Sequence, residues 1–482
     1  MNRKIYYILI MLTLSVFIAA CDDDTDFSSS PADVLSFTCD TVSFDTLFAG
    51  TVSSTASFLV HNRNSSSVRI GSVRLGGGSD SPFRVNVDGQ YGCNIEYVEV
   101  RGKDSIFVFV DVSLDRNASE LPFTVRDSLM FTLESGVRQQ VQLVACGRNA
   151  TFLHAPVVES DTVFAPGAYV IYDSLTVAEG ARLTLEAGCE LYFHSRAGVD
   201  VYGTLVAEGT KSSPVIFRGD RTDNLFDYLP YDRVPGQWRG ITFHSASSGN
   251  VLDWCDIHSA DYGIYIMSGD TAVQRITLTN SKVCNFSGDA FSAENARVDV
   301  GNTLIANAGG NCVRIAGGSA RFIHCTIANF YVWKQRNTAL ALHNTLDGAP
   351  APLREALFAN CIVTGSKNDE IMGYLYDLGD TLPDAARYRF VSSLLNTVPV
   401  EDDENFVDIV WDAKDASPFA KEHFRLIDNS VYLYDFHLDS VSTARGIASA
   451  EYQKYYMYDA DSIARPAEAA DAGCYGFIFK DE

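Results

Sequence analysis

Five apolar residues, Ile257, Val283, Ile305, Ile327 and Val363, recur at separations of 26, 22, 22 and 36 residues. Two positions before each stands Cys255, Ser281, Thr303, Cys325 or Cys361, and three positions after the first four stand Ala260, Phe286, Ala308 and Phe330. Strand side chains two apart point the same way, so each small residue shares a face with its apolar partner. No amphipathic helical pattern and no two-residue hairpin signal separates these segments. One such repeat cannot bury its own apolar face; stacked repeats bury it together. The pattern therefore predicts parallel coils around one shaft. Its cysteines act there as small hydrophobes rather than as reactive thiols. Asn280, Asn302 and Asn360 precede the small residues, and Asn285, Asn307 and Asn329 follow the apolar ones. These are either simple turn formers or stacked amide ladders.

The same texture starts near residue 157, with short alternating strands separated by Glu179-Gly180, Ala187-Gly188 and Glu208-Gly209. Residues 364–434 keep the repeat poorly and read as loops from the late coils, with short helices around Asp384 to Arg387. Residues 34–148 differ: Phe83-Arg84-Val85-Asn86-Val87 and Leu129-Met130-Phe131-Thr132-Leu133 alternate between turns such as Asp88-Gly89, the pattern of an antiparallel β-sandwich. The expected fold is all-β, a sandwich followed by a parallel β-helix over 149–482.

At the N-terminal end, Arg3 and Lys4 precede an apolar run from Ile5 to Ile18, then Ala19, Ala20 and Cys21. Residues 1–20 read as a secretory signal, too short for a comfortable membrane span. Asp22-Asp23-Asp24-Thr25-Asp26 opens an acidic tether over 21–33. The net charge of −24 argues against nucleic-acid binding. The cysteines contain no Cys-x-x-Cys pair, and the histidines, including His194, His244, His258, His324 and His343, show no tight metal spacing. No metal site is therefore expected.

Several resemblances sharpen these expectations. Ile18-Ala19-Ala20-Cys21 resembles the lipobox of bacterial lipoproteins, which implies lipidation of Cys21 and a membrane partner through that anchor. The acidic run resembles the surface-export signal of Bacteroidetes lipoproteins and implies an outer-membrane, surface-exposed location. Phe44 to Gly50, His61 to Asn64 and Ser81-Pro82-Phe83 resemble immunoglobulin-like domains of the Hydin type over about a quarter of the chain. Gly203 to Thr210, Ser213 to Phe217 and Gly236-Gln237-Trp238-Arg239-Gly240-Ile241-Thr242-Phe243 resemble right-handed parallel β-helix surface proteins of Bacteroidetes. In that resemblance, Asp435 to Leu438 and Arg465 to Tyr475 form a closing coil. An Asp-Ser/Thr-aliphatic or Ala triplet occurs ten times, as at Asp104, Asp127 and Asp439. It resembles a Bacteroidetes O-glycosylation signal and equally suits a turn entering a strand.

Enzymes on this fold, such as pectate lyases, pair carboxylates with an Arg or Lys, often with Ca²⁺; a hydrolase needs two carboxylates about one bond. The candidate catalytic residues lie in 219–237: Asp220, Arg221, Asp223, Asp227, Asp232 and Arg233. Tyr228 and Tyr231, with Tyr331, Trp333, Lys334 and Arg336, are candidate ligand contacts. The leading expectation is a non-catalytic surface module binding glycan or another envelope or host ligand, with no cofactor; Ca²⁺ enters only with the lyase alternative. The alternatives are a polysaccharide lyase or glycoside hydrolase, and a structural spacer.

Overall fold

The computed structural model describes residues 27–116, 122–379, 385–401 and 403–478. The signal segment, Cys21 and the acidic run lie outside the described residues. The chain divides into two compact units, with the boundary between Asn149 and Ala150.

The first unit is a β-sandwich. One sheet runs in the order Ser36–Phe37, Ala56–His61, Ser105–Val112, Phe83–Val87, Gln90–Tyr91. The other runs Thr41–Phe48, Arg138–Arg148, Phe123–Leu133, Val68–Leu75, Asn94–Val100. Alternation does the sorting: Phe83, Val85 and Val87 are buried while Arg84 faces solvent. Neighbouring strands pair antiparallel, except that Thr41–Phe48 lies parallel to Arg138–Arg148. Within the triplets, the Asp127 carboxylate accepts the backbone N–H groups of Gly77 and Ser128, at 3.1 and 2.7 Å, and Asp439 accepts that of Val441 at 3.2 Å. Asp439 closes a local turn, whereas Asp127 stands inside the strand Phe123–Leu133 and reaches Gly77, 50 residues away.

The second unit is a parallel β-helix with three rows of strands. The first row runs from Val157–Val158 to Ile371–Tyr374 and the second from Thr162–Phe164 to Phe406–Val407, together making a 17-stranded sheet. The third row, from Thr151–His154 to Val410–Trp411, is an 11-stranded sheet. The predicted repeat is in register: Ile257 pairs with Val283, then Ile305, Ile327 and Val363, and the ladder continues to Leu395 and Trp411. Cys255, Cys325 and Cys361 share one interior ladder with Ser281 and Thr303, all buried. The hydroxyl of Ser281 accepts the Cys255 N–H at 2.9 Å and donates to the Thr279 carbonyl at 2.6 Å. The shaft therefore accommodates these small polar groups without orphaning them. Burial pushes the thiols of Cys255 and Cys325 well up, which leaves them inert.

Both readings of the asparagines hold. Trp254, Asn280, Asn302, His324, Asn360 and Ser392 occupy one corner with φ between 46° and 54°, a left-handed conformation that asparagine tolerates best after glycine. The Asn302 amide also donates to Asn280 Oδ1 at 2.8 Å, and Asn360 donates to His324 Nε2 at 3.0 Å. Within the Gly236–Phe243 motif, Trp238 points inward, stacks on Phe193 at 4.4 Å and donates its indole N–H to the His258 carbonyl at 2.8 Å. Gly240 has φ 121°, and a Cβ there would lie 2.1 Å from the Tyr262 carbonyl oxygen, so no other residue fits.

Two expectations are corrected. Ala386 and Arg387 lie in the strand Ala386–Val391, not a helix; Asp384 lies outside the described residues. Coil strands continue through Leu394–Leu395, Phe406–Val407 and Val410–Trp411, between the loops expected in 364–434. The segment Arg465 to Tyr475 does not close the stack. It returns along the outside of the third row, where the Cys474 N–H donates to Thr326 Oγ1 at 3.1 Å and Arg465 Nη2 donates to Asn302 Oδ1 at 2.8 Å.

Candidate functional site

The outward positions of the third row change character along the axis. In register they read Asp256, Lys282, Leu304, Thr326, Ile362, Leu394. From Leu304 onward the outside is mostly apolar and buried, because the C-terminal segment covers it with Phe424, Phe436, Leu438 and Tyr475. The cover begins with a short 3₁₀ turn, Ala420–His423, and a hairpin of Phe424–Asp428 and Leu433–Leu438. At its edge, beside the polar coils, a groove of about 320 Å³ opens. Asp232, Asp256, His258 and Lys282 form one wall; Tyr432, Tyr434, His437 and Tyr475 form the other.

The charges in this groove are fixed by mutual pairing. His258 donates from Nδ1 to Asp256 Oδ1 and from Nε2 to Asp232 Oδ1, both at 2.8 Å, and Arg218 contacts the same Asp232 oxygen at 2.8 Å. Burial disfavours the imidazolium, but Asp256 and Asp232 outweigh it and raise His258 to about 9. Burial likewise opposes ionisation of Asp232, yet the His258 hydrogen bond and charge, with Arg218 and Arg233, hold it at about 2. A second sandwich repeats the arrangement: His437 lies between Asp435 and Asp461. Burial opposes ionisation of both carboxyls, but His437 holds them below the usual range. Cys284, also in the groove, is pushed up to about 12 by burial and then by Asp256.

Ring faces complete the site. Trp333 stacks on Tyr432 at 4.3 Å and 22°, and His437 stacks on Tyr475 at 4.4 Å. Asn285 and Asn307 add amides to the floor. At neutral pH the Asp-His-Asp groups thus offer anions and a cation, ring faces and amides. They offer no protonated carboxyl, the general acid that glycosidic hydrolysis pairs with an ionised carboxylate.

The predicted residues of 219–237 do not converge. Asp232 and Arg233 reach the groove. Asp220 instead pairs with His194 at 2.7 Å. Arg221 pairs with Asp223 at 2.5 Å and lies over the Tyr231 ring at 4.0 Å. Tyr228 stacks on Phe226 at the exposed tip, where Asp227 also faces solvent. Of the second cluster, Trp333 alone stands at the groove, through Tyr432. Lys334 is exposed, and Tyr331 is buried. Arg336 is buried too, gripping the fully buried Glu370 with both terminal nitrogens, at 3.0 and 2.5 Å. Tyr331 and Arg336 are therefore packing residues rather than ligand contacts, since ring and guanidinium are spent inside the fold.

The residues missed by sequence reading, Asp256, His258, Asp435 and His437, carry a signal: Asp-x-His occurs on two strands, which puts both side chains on one face. The cover has a signal too. Leu304-Ile305-Ala306, Ile362-Val363 and Leu394-Leu395 abandon alternation, as strands buried on both faces do.

No family model matches the chain, and no curated protein matches it. Among solved structures, similarity extends to a Vibrio cholerae protease, VesB (14% identity, 24% of this chain and 31% of that one, TM-score 0.18). It extends also to a family 123 glycoside hydrolase from Clostridium perfringens (12%, 24% and 26%, TM-score 0.18) and to an ASH/PapD-like domain of human CEP192 (12%, 26% and 89%, TM-score 0.17). The matched part spans about a third or less of the first two proteins. Among the described residues, no group of three or more His, Cys, Asp or Glu is arranged to hold a metal ion, and no helix is long and apolar enough to cross a membrane.

Proposed function

We propose that this protein is a surface-anchored bacterial lipoprotein whose β-helix binds a saccharide, without cleaving it, in the groove between the third row and the C-terminal cover. The observation that carries the reading is the joint presence of ring faces and fixed ions. Tyr432, braced by Trp333, offers a plane for sugar C–H faces. Asp232, Asp256 and Lys282, with Asn285 and Asn307, offer hydrogen-bonding partners for hydroxyls. The ionised carboxylates speak against hydrolysis, and the built groove speaks against a bare spacer. In this reading the N-terminal sandwich, with its resemblance to Hydin-type domains, spaces the groove from a lipid on Cys21. The test is a glycan array probed with residues 27–482. A Tyr432→Ala variant is expected to lose at least tenfold affinity for whichever glycan binds, with the glycan recovered intact. Cleaved product, or binding indifferent to Tyr432, would refute the proposal.

A further inference from the structure

The outer side of the first row holds a second cavity, of about 430 Å³, lined among others by Asp289, Asn311, Arg314, Thr338, His343 and Lys367. It shares no lining residue with the groove above. The protein carries a net charge of −24; here two cations, Arg314 and Lys367, line the cavity with one carboxylate, Asp289, and Arg314 is paired with a second carboxylate, Glu294. Charge is balanced rather than reversed, so an anion would be held by the donors the two cations leave open.

The cations are built in. Arg314 Nη1 donates to Glu294 Oε1 at 2.9 Å and to Ser292 Oγ at 3.1 Å, while the Tyr265 hydroxyl donates to the other oxygen of Glu294 at 2.8 Å. The guanidinium is thereby held by one nitrogen. Among the described residues its Nε and Nη2 make no hydrogen bond, and that edge is the one that grips a carboxylate in two parallel bonds. Lys367 is tethered by its ammonium to the Arg336 carbonyl at 2.8 Å and pairs with no carboxylate among the described residues. Facing them, Asp289 uses Oδ1 for the Asn311 backbone and side-chain N–H groups, at 2.7 and 3.3 Å, while Thr338 donates to Asn311 Oδ1 at 3.2 Å. Asp289 Oδ2 accepts nothing among the described residues. The His343 ring stacks on the exposed Tyr374 at 4.5 Å and 14°, a flat apolar platform at the rim. Burial, then Arg314, keeps His343 neutral at neutral pH, so it adds no charge and leaves a ring nitrogen free to accept.

We propose that this cavity is a second, independent binding site, for a saccharide that bears a carboxylate. The carboxylate lies on the Nε–Nη2 edge of Arg314 within reach of Lys367. Ring hydroxyls donate to Asp289 Oδ2 and His343, and a sugar face rests on the Tyr374–His343 stack. A carboxylate without a sugar leaves Asp289 and the ring platform unused; a neutral sugar leaves the open Nε–Nη2 edge of Arg314 and the Lys367 ammonium without an anion. The site does not depend on the groove reading.

The test titrates residues 27–482 with sodium glucuronate, glucose and acetate by calorimetry, at low and at physiological salt. Glucuronate is expected to bind at least tenfold more tightly than either of the others, with affinity falling as salt rises. Arg314→Gln is expected to lower it at least tenfold. Lys367→Met is expected to lower it several-fold and supplies the answer if the Arg314 variant fails to fold, because the Lys367 ammonium bonds only a carbonyl oxygen and its backbone bond to Glu370 survives the change. Tyr432→Ala is expected to leave glucuronate binding unchanged. Equal affinity for glucose, acetate and glucuronate, or binding untouched by both cation variants, overturns the proposal. Loss on Tyr432→Ala alone would place the acidic sugar in the groove and overturn it equally.

Discussion

At the scale of single residues, the groove is governed by His258. Its neighbours were visible in the sequence only as an Asp at 256 and an Asp at 232, twenty-six residues away. Because its folded value of about 9 lies above the ordinary 6.5, the folded state keeps a proton that the unfolded chain releases. The resulting stabilisation is complete below about pH 6.5 and disappears as pH rises through 9. For a side chain this little exposed the effect is on the order of 3 kcal/mol. Urea melts of the native chain should therefore weaken from pH 6.5 to 9, and His258→Gln should flatten that window. An unchanged slope in the variant would remove His258 as the cause. The Asp232 contribution runs the other way, lost as pH falls from 3.8 through about 2.

At the scale of elements, the C-terminal cover is what turns a plain solenoid flank into a site. Leu304, Ile362 and Leu394 point away from the shaft yet are buried by it, each burial contributing roughly 1.5–3 kcal/mol. A chain stopped after Ala416 keeps the coils but bares this stripe. Such a chain should bind the dye ANS strongly and lose soluble yield, with the β-sheet circular dichroism largely kept. A truncated chain as soluble and dye-silent as the parent would show that the cover does not protect the flank. The repeat itself was readable because Ile257, Val283, Ile305, Ile327 and Val363 obey a local rule, strand period plus coil length. The cover was not, because Arg465 meets Asn302 across 163 residues, and no local period records such a contact. For the same reason Arg336 passed for a surface cation: its partner Glu370 lies 34 residues on, in another coil.

At the scale of the whole molecule, the proposed lipid on Cys21 would hold the protein to a membrane through acyl chains worth ~0.8 kcal/mol per buried CH₂. Labelled palmitate should enter the protein expressed in a Gram-negative host and vanish in Cys21→Ala; label retained in the variant would exclude that anchor. What the amino-acid order determined unaided is the pair of architectures and the interior of the coils. Alternation and repeat length act between neighbours in the chain or in the stack, where geometry leaves few choices. What only the tertiary structure decided is where chemistry can happen. The groove joins coil side chains to a return segment far along the chain, the second cavity gathers side chains from successive coils, and their charges acquire their state from partners that chain order does not announce.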